Sequence, residues 1–288
     1  MAAARGAEER TAWRQPVDLI ALCQRAGLEL PHLFVPSGND NAGNWSDHVT
    51  LSESLLGDDP AAIVDALTAA ARDGASPADL GRALAYAAAL RVARFGTANE
   101  HSDWETAHHV FTYANAVHQS LKRIGGEATP VEAVRGLLHG AMALYLARYL
   151  NVPPASLPGE SCSGLDDLPV AAEEIRAALL DTFDRQQQIG AAARLVARHL
   201  ILGYPPEALI ATLAHALLRE DAGFHAYQML EAGVRQFQEW GNCDQGRHIL
   251  IAVARYLAAH FPTQRALLQT ADIASRLTRG GELHREMQ

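Results

Sequence analysis

The chain has 288 residues, of which 49% are hydrophobic and only 6% aromatic, and its formal net charge is −9. An acidic balance with no basic cluster argues against nucleic acid and anionic membrane surfaces as partners. Three cysteines (Cys23, Cys162 and Cys243) stand far apart, which excludes zinc-ribbon and iron–sulfur spacing and fits a reducing compartment.

Residues 1–13 read as a polar start without the apolar core of a secretory signal. No apolar run approaches the ~18 residues of a membrane span, so a cytoplasmic protein is expected. Residues 13–28 read as a short helix with Leu19, Ile20 and Leu22 as its apolar face. The stretch 31–58 is punctuated by Pro31, Pro36, Gly38, Gly43 and Gly57 and reads as irregular. Its His32 and His48 are taken as parts of an arm laid over helices.

From Asp59 the chain turns regularly helical. Asp59-Pro60 and Ser76-Pro77 each pair a capping side chain with a proline suited to a first turn. They predict helices to about 73 and 95. A long helix follows over 100–123 and stops at Gly125-Gly126, and Thr129-Pro130 starts another to about 149. After a Pro/Gly/Ser-rich loop at 151–169, helices are predicted near 170–188, 189–202, 206–220, 223–240, 245–260 and 264–278. Strand-type alternation is absent, and alanine is abundant. The expected fold is an all-α, α/α helical-repeat single domain. An N-terminal arm (1–58) precedes a helical domain (59–280), whose possible halves 59–150 and 170–280 are joined by the 151–169 loop. Residues 281–288 form a loose tail.

The long helix, EHSDWETAHHVFTYANAVHQSLKR, holds four of the thirteen histidines. His108, Phe111, Asn115 and His118 follow i, i+3, i+7, i+10 and share one stripe. Polar groups on a buried stripe need a partner there: a carboxylate, a carbonyl, a water or a metal. Glu105 lies one turn before both His108 and His109.

Helix starts also recur. Pro77, Pro130 and Pro206 each open an Ala/Leu-rich helix, and nine residues on from each stand Tyr86, His139 and His215. ETAHHVFTYANAV aligns with EDAGFHAYQMLEAGV, so that Glu105/His109 matches Asp221/His225. Each pair puts a carboxylate and an imidazole one turn apart on one face, as metal-binding helices do. Di-iron bundles favour Glu-x-x-His; the matched pairs are one residue longer. The plain structural reading of either pair is an intrahelical contact worth ~0.3–0.5 kcal/mol. His199 and His260 lie near helix C-termini, where a cation suits the dipole, and are read as structural. His248 stays open and His284 falls in the tail.

No phosphate-binding loop, dinucleotide fingerprint or GxSxG elbow occurs, and Ser161-Cys162 lacks a strand–turn–helix context. The stretches EHSDWETAHHVFTYANAVHQSLKR, LLHGAMALYLARYLNVPP and LAHALLREDAGFHAYQMLEAG resemble a helical domain of bacterial Rieske [2Fe–2S] proteins. More distantly, the scattered histidines on helices are similar to the questin oxidase family. The first resemblance implies an oxidase or oxygenase module over about 60–280, with His108, His109, His118, His139 and His225 as the positions carried over. The chain departs from it in lacking the CxH…CxxH ligands of a Rieske centre. A separate electron-donor protein, or a reaction needing none, is then implied.

The expectation is a metal-dependent oxidoreductase, iron foremost with manganese or zinc as alternatives, acting on a small apolar organic substrate. His109, His139 and His225 are expected ligands, with Glu105 and Asp221 as ligands or their orienting partners. His108 and His118 are further ligands or proton-transfer groups, and Asn115 orients substrate or water. Phe111, Tyr113, Tyr227 and Met229 are expected to line the substrate pocket, and a homodimer is plausible. Two rival readings are a non-catalytic helical scaffold for a protein partner and a metal-free hydrolase or isomerase using a His–carboxylate pair.

Overall fold

The computed structural model describes residues 17–34, 45–97, 101–124, 131–151, 153–159 and 164–279. The expected polar start, the Gly125-Gly126 stop, the Thr129-Pro130 helix start, Cys162 and the tail with His284 lie outside these. The described residues form α1 (Leu19–Leu33), α2 (His48–Leu55), α3 (Pro60–Arg72), α4 (Pro77–Ala93), α5 (His101–Ile124) and α6 (Val131–Leu146). After a 3₁₀ turn come α7 (Ala172–Phe183), α8 (Ile189–Ile201), α9 (Pro206–Leu218), α10 (Phe224–Trp240), α11 (Asp244–His260) and α12 (Ala266–Thr278). No strand occurs among the described residues, and the fold is all-α. No helix among them is long and apolar enough to cross a membrane.

Capping chemistry sets the helix starts. Asp59 accepts from the backbone N–H of Ala61 at 2.9 Å. Ser76 and Asp79 form a reciprocal capping box, each side chain bonded to the other's backbone N–H. The N-terminal region is more regular than its Pro/Gly punctuation predicts. Helix α1 runs on through Pro31 to Leu33 with Leu30 fully buried, and the short α2 buries His48, Leu51, Ser52 and Leu55. Eight residues show too few turns for periodicity to announce a helix, and tertiary burial of one face makes it.

Two helices occupy the centre. Every residue of α4 from Ala83 to Ala93 and of α11 from Ile249 to Ala258 is buried. Helices apolar on nearly every side belong inside; the exceptions in these two runs are the buried Arg91 and Arg255. They pack against each other; α2, α5 and α6 also pack on α4, while α8 and α10 pack on α11. Helix α12 is the opposite case, with none of its residues buried. The three proline-led helices place their matched positions differently: Tyr86 is buried, His139 partly buried and His215 exposed.

Close approach of α10 to α11 depends on Gly233, where a Cβ would overlap Val253 Cγ2. The substitution Gly233→Ala is predicted to cost about 1–3 kcal/mol by overpacking. On a Val253→Ala background it should cost almost nothing. Urea denaturation checks both, and a Gly233→Ala protein at least as stable as wild type would contradict the close approach.

Candidate metal centre

Helix α5 buries Trp104, Ala107, His108, Phe111, Ala114, Asn115, His118 and Leu121. This is a 3–4 spacing facing the core, with three polar groups in it. Two of the three find partners on α10. The Gln236 amide nitrogen donates to Asn115 Oδ1 at 2.8 Å and to His118 Nδ1 at 3.0 Å. The third, His108, is fully buried; its ring nitrogens meet no strict hydrogen-bond geometry, and its polar neighbours are the His225 backbone and the Glu105 carboxylate. Burial draws His108 down to about 4 against the opposing pull of the Glu105 carboxylate, so the ring is neutral at pH 7.

Glu105, His108 and His109 on α5 and His225 in the first turn of α10 each offer one ligand atom, all within 4.8 Å of one another. His109 stands 5.1 Å from the His108 ring and 4.7 Å from the His225 ring, centroid to centroid. Glu105 Oε2 lies 2.6 Å from His225 Nδ1 and 3.8 Å from His108 Nδ1. Among the described residues this is the group able to hold an ion. It runs from the core to the surface: His108 is enclosed, the His225 side chain is 40% exposed, and His109 is exposed.

Two further side chains meet the carboxylate from α11. The Tyr256 hydroxyl donates to Glu105 Oε1 at 2.8 Å, and His260 Nε2 stands 3.2 Å from the same oxygen. Burial pushes the Glu105 carboxyl up, but the Tyr256 hydrogen bond and the fields of His225, His260 and His108 outweigh it and hold the net below the usual range. Burial and this carboxylate together push the Tyr256 hydroxyl up, keeping it a donor.

The structure brings together Glu105, His109 and His225 of the expected ligands, and His108 with them. His139, partly buried on α6, and Asp221 are outside the group. The Asp221 carboxylate instead accepts the backbone N–H groups of Ala266 at 2.6 Å and Leu267 at 2.8 Å, capping α12. Asn115 and His118 form the separate network around Gln236. Phe111 and Met229 are fully enclosed in the core, whereas Tyr113 and Tyr227 are exposed; these four do not share one wall. A cavity of about 250 Å³ lined by Leu157, Leu165, Ala193, Arg194 and Arg255 contains none of the clustered side chains.

The pair that matters is Glu105-x-x-His108, at the spacing usual for ligating helices, with His109 next to it. Matching Glu105 to His109 by the repeat obscured it. Tyr256 and His260 stand one turn apart at the end of α11; His260 is expected from sequence only as a dipole partner, and nothing local to α11 points to a carboxylate on α5. Phe224, whose aromatic stripe reads as core in the sequence, is instead 70% exposed with its ring 5.7 Å from that of His225, an apolar neighbour of the site.

Comparison with protein-family models, curated proteins and solved structures finds no match to this chain. The site therefore stands on its own geometry.

Acid should unfold the metal-free protein through His118. Burial draws it down to about 4, while the unfolded ring titrates near its ordinary 6.5. The unfolded state then binds more protons between those values, so stability falls as pH drops from about 6.5 to 4. The loss from this one group is on the order of 3 kcal/mol at the acid end. Urea unfolding of wild type and His118→Gln at pH 7 and pH 4.5 reads it: the variant should show the shallower pH dependence, and equal slopes would contradict the assignment.

Proposed function

We propose that this protein is a metal-dependent oxidoreductase. One divalent transition ion, iron foremost, would be held by Glu105, His108, His109 and His225, and the substrate would be a small apolar organic molecule. The observation that carries the reading is His108. A fully buried imidazole whose polar contacts are a poorly aligned backbone group of His225 and a carboxylate at 3.8 Å is costly, and a metal is one of the few partners that would satisfy it well. Its neighbours are the donors such a partner needs, two more imidazoles and a carboxylate. Imidazole and carboxylate without thiolate suit iron, manganese or zinc.

When bound, such an ion supplies Lewis acidity and, for iron or manganese, one-electron redox capacity. The chain's own residues do the rest. His108 anchors the inner side of the site. His109 and His225 hold the solvent-facing side, where a substrate would approach. Phe224 offers an apolar surface beside that opening. Glu105 offsets part of the ion's charge. These 288 residues contain no Rieske-type ligand pairs, so electrons for turnover would come from a donor outside them or from the substrate itself.

A metal-free acid–base catalyst is the second reading, favoured by the 2.6 Å contact between Glu105 Oε2 and His225 Nδ1. A non-catalytic scaffold predicts histidines spread over a concave face, and here three converge with a carboxylate.

Plasma mass spectrometry on protein purified without an affinity tag separates these readings. Wild type should carry about one equivalent of iron or manganese, and His109→Ala and His225→Ala, both at solvent-facing positions, should lose most of it. Zinc alone would redirect the reading to hydrolysis. Less than about a tenth of an equivalent, not raised by adding metal, would overturn metal dependence.

A further inference from the structure

We propose that Tyr256, with His260 packed beside it, makes Glu105 a one-oxygen ligand: the Tyr256 hydroxyl occupies Oε1 and leaves only Oε2 facing the ion. This rests on the metal reading above and assigns the selectivity of that site to two residues that would not touch the ion.

The two oxygens of Glu105 have different surroundings. Oε1 accepts the Tyr256 hydroxyl at 2.8 Å and lies 3.2 Å from His260 Nε2. Oε2 has no hydrogen bond of acceptable geometry and points among the imidazoles, 2.6 Å from His225 Nδ1 and 3.8 Å from His108 Nδ1. The residues on Oε1 are themselves fixed. His260 Nδ1 donates to the Tyr256 carbonyl at 2.7 Å, which fixes the ring beside the carboxylate. Tyr256 is 1% exposed; its ring lies 4.1 Å from that of His260 and stacks on His108 at 5.0 Å with a 29° tilt. Tyr256 thus touches two candidate ligands at once, the carboxylate through its hydroxyl and the buried imidazole through its face.

The consequence is a choice of ion. Calcium favours many oxygens and carboxylates that bind through both, whereas magnesium keeps its waters and demands near-ideal octahedral oxygen coordination. One carboxylate oxygen among three imidazoles suits iron, manganese or zinc instead. Hydrogen-bond partners that orient ligands are commonly worth 10- to 100-fold in metal affinity.

The test is titration of the metal-free protein with Co(II), followed by its visible absorption, for wild type, Glu105→Ala, Tyr256→Phe and His260→Gln. Tyr256→Phe removes only the hydroxyl and keeps the stack on His108. It should bind about 10- to 100-fold more weakly. Its d–d bands should lose intensity as the freed Oε1 joins the ion and raises the coordination number. His260→Gln, which removes the ring packed beside Oε1 and Tyr256, should shift in the same direction by less. Thermal unfolding of the metal-free Tyr256→Phe protein reads any purely structural effect separately. Wild-type binding with affinity and spectrum unchanged in both Tyr256→Phe and His260→Gln would overturn this inference and leave the metal site standing. No binding by wild type, or binding unaffected by Glu105→Ala, would overturn the site itself.

Discussion

A partly buried carboxylate organises this molecule. Glu105 sits where α5, α10 and α11 meet, and a charge removed from water needs compensation from every side. Tyr256 and His260 supply it from α11, and His225 from α10. The three helices are therefore tied by polar contacts at one point, in a core that is otherwise mostly alanine and leucine. The same carboxylate turns a patch of histidines into a possible ion site, because three imidazoles alone would bring no charge to offset that of a cation.

Position follows from packing. Helix α11 is buried almost all round and carries Tyr256 and His260 against Glu105. Gly233 lets α10 approach α11, and α10 in turn packs on α5, which sets His225 over Glu105. Along α5 the buried polar residues divide by partner. Asn115 and His118 are answered by Gln236, a self-contained structural network. His108, seven residues before Asn115 on the same stripe, has no side-chain hydrogen bond of comparable geometry. That contrast within one helix separates a core histidine from a candidate ligand better than burial or sequence spacing does.

Much of this was legible in the sequence, for identifiable reasons. Helices beginning at Asp59-Pro60 and Ser76-Pro77 announce themselves through caps, and the buried stripe of α5 through its 3.6-residue period. Helix α2 was not legible, because eight residues carry too little periodicity. The site was half legible. Glu105, His108 and His109 lie within five residues, so their juxtaposition is local, and His225 was reached through an aligned acid–imidazole pair. That alignment misled at Asp221, whose carboxylate caps α12 instead, and at His139, whose matched helix position carries no shared environment. Tyr256 and His260 were out of reach, since their contact with Glu105 joins residues about 150 positions apart.

The central claim is that Glu105, His108, His109 and His225 bind one ion together. The most direct measurement is anomalous diffraction from crystals of the protein loaded with manganese or zinc, recorded at the absorption edge of that metal. The account predicts one peak about 2.0–2.2 Å from Glu105 Oε2 and from one nitrogen of each imidazole. A loaded crystal with no peak there, and with His108 turned onto a backbone or water partner, would contradict it.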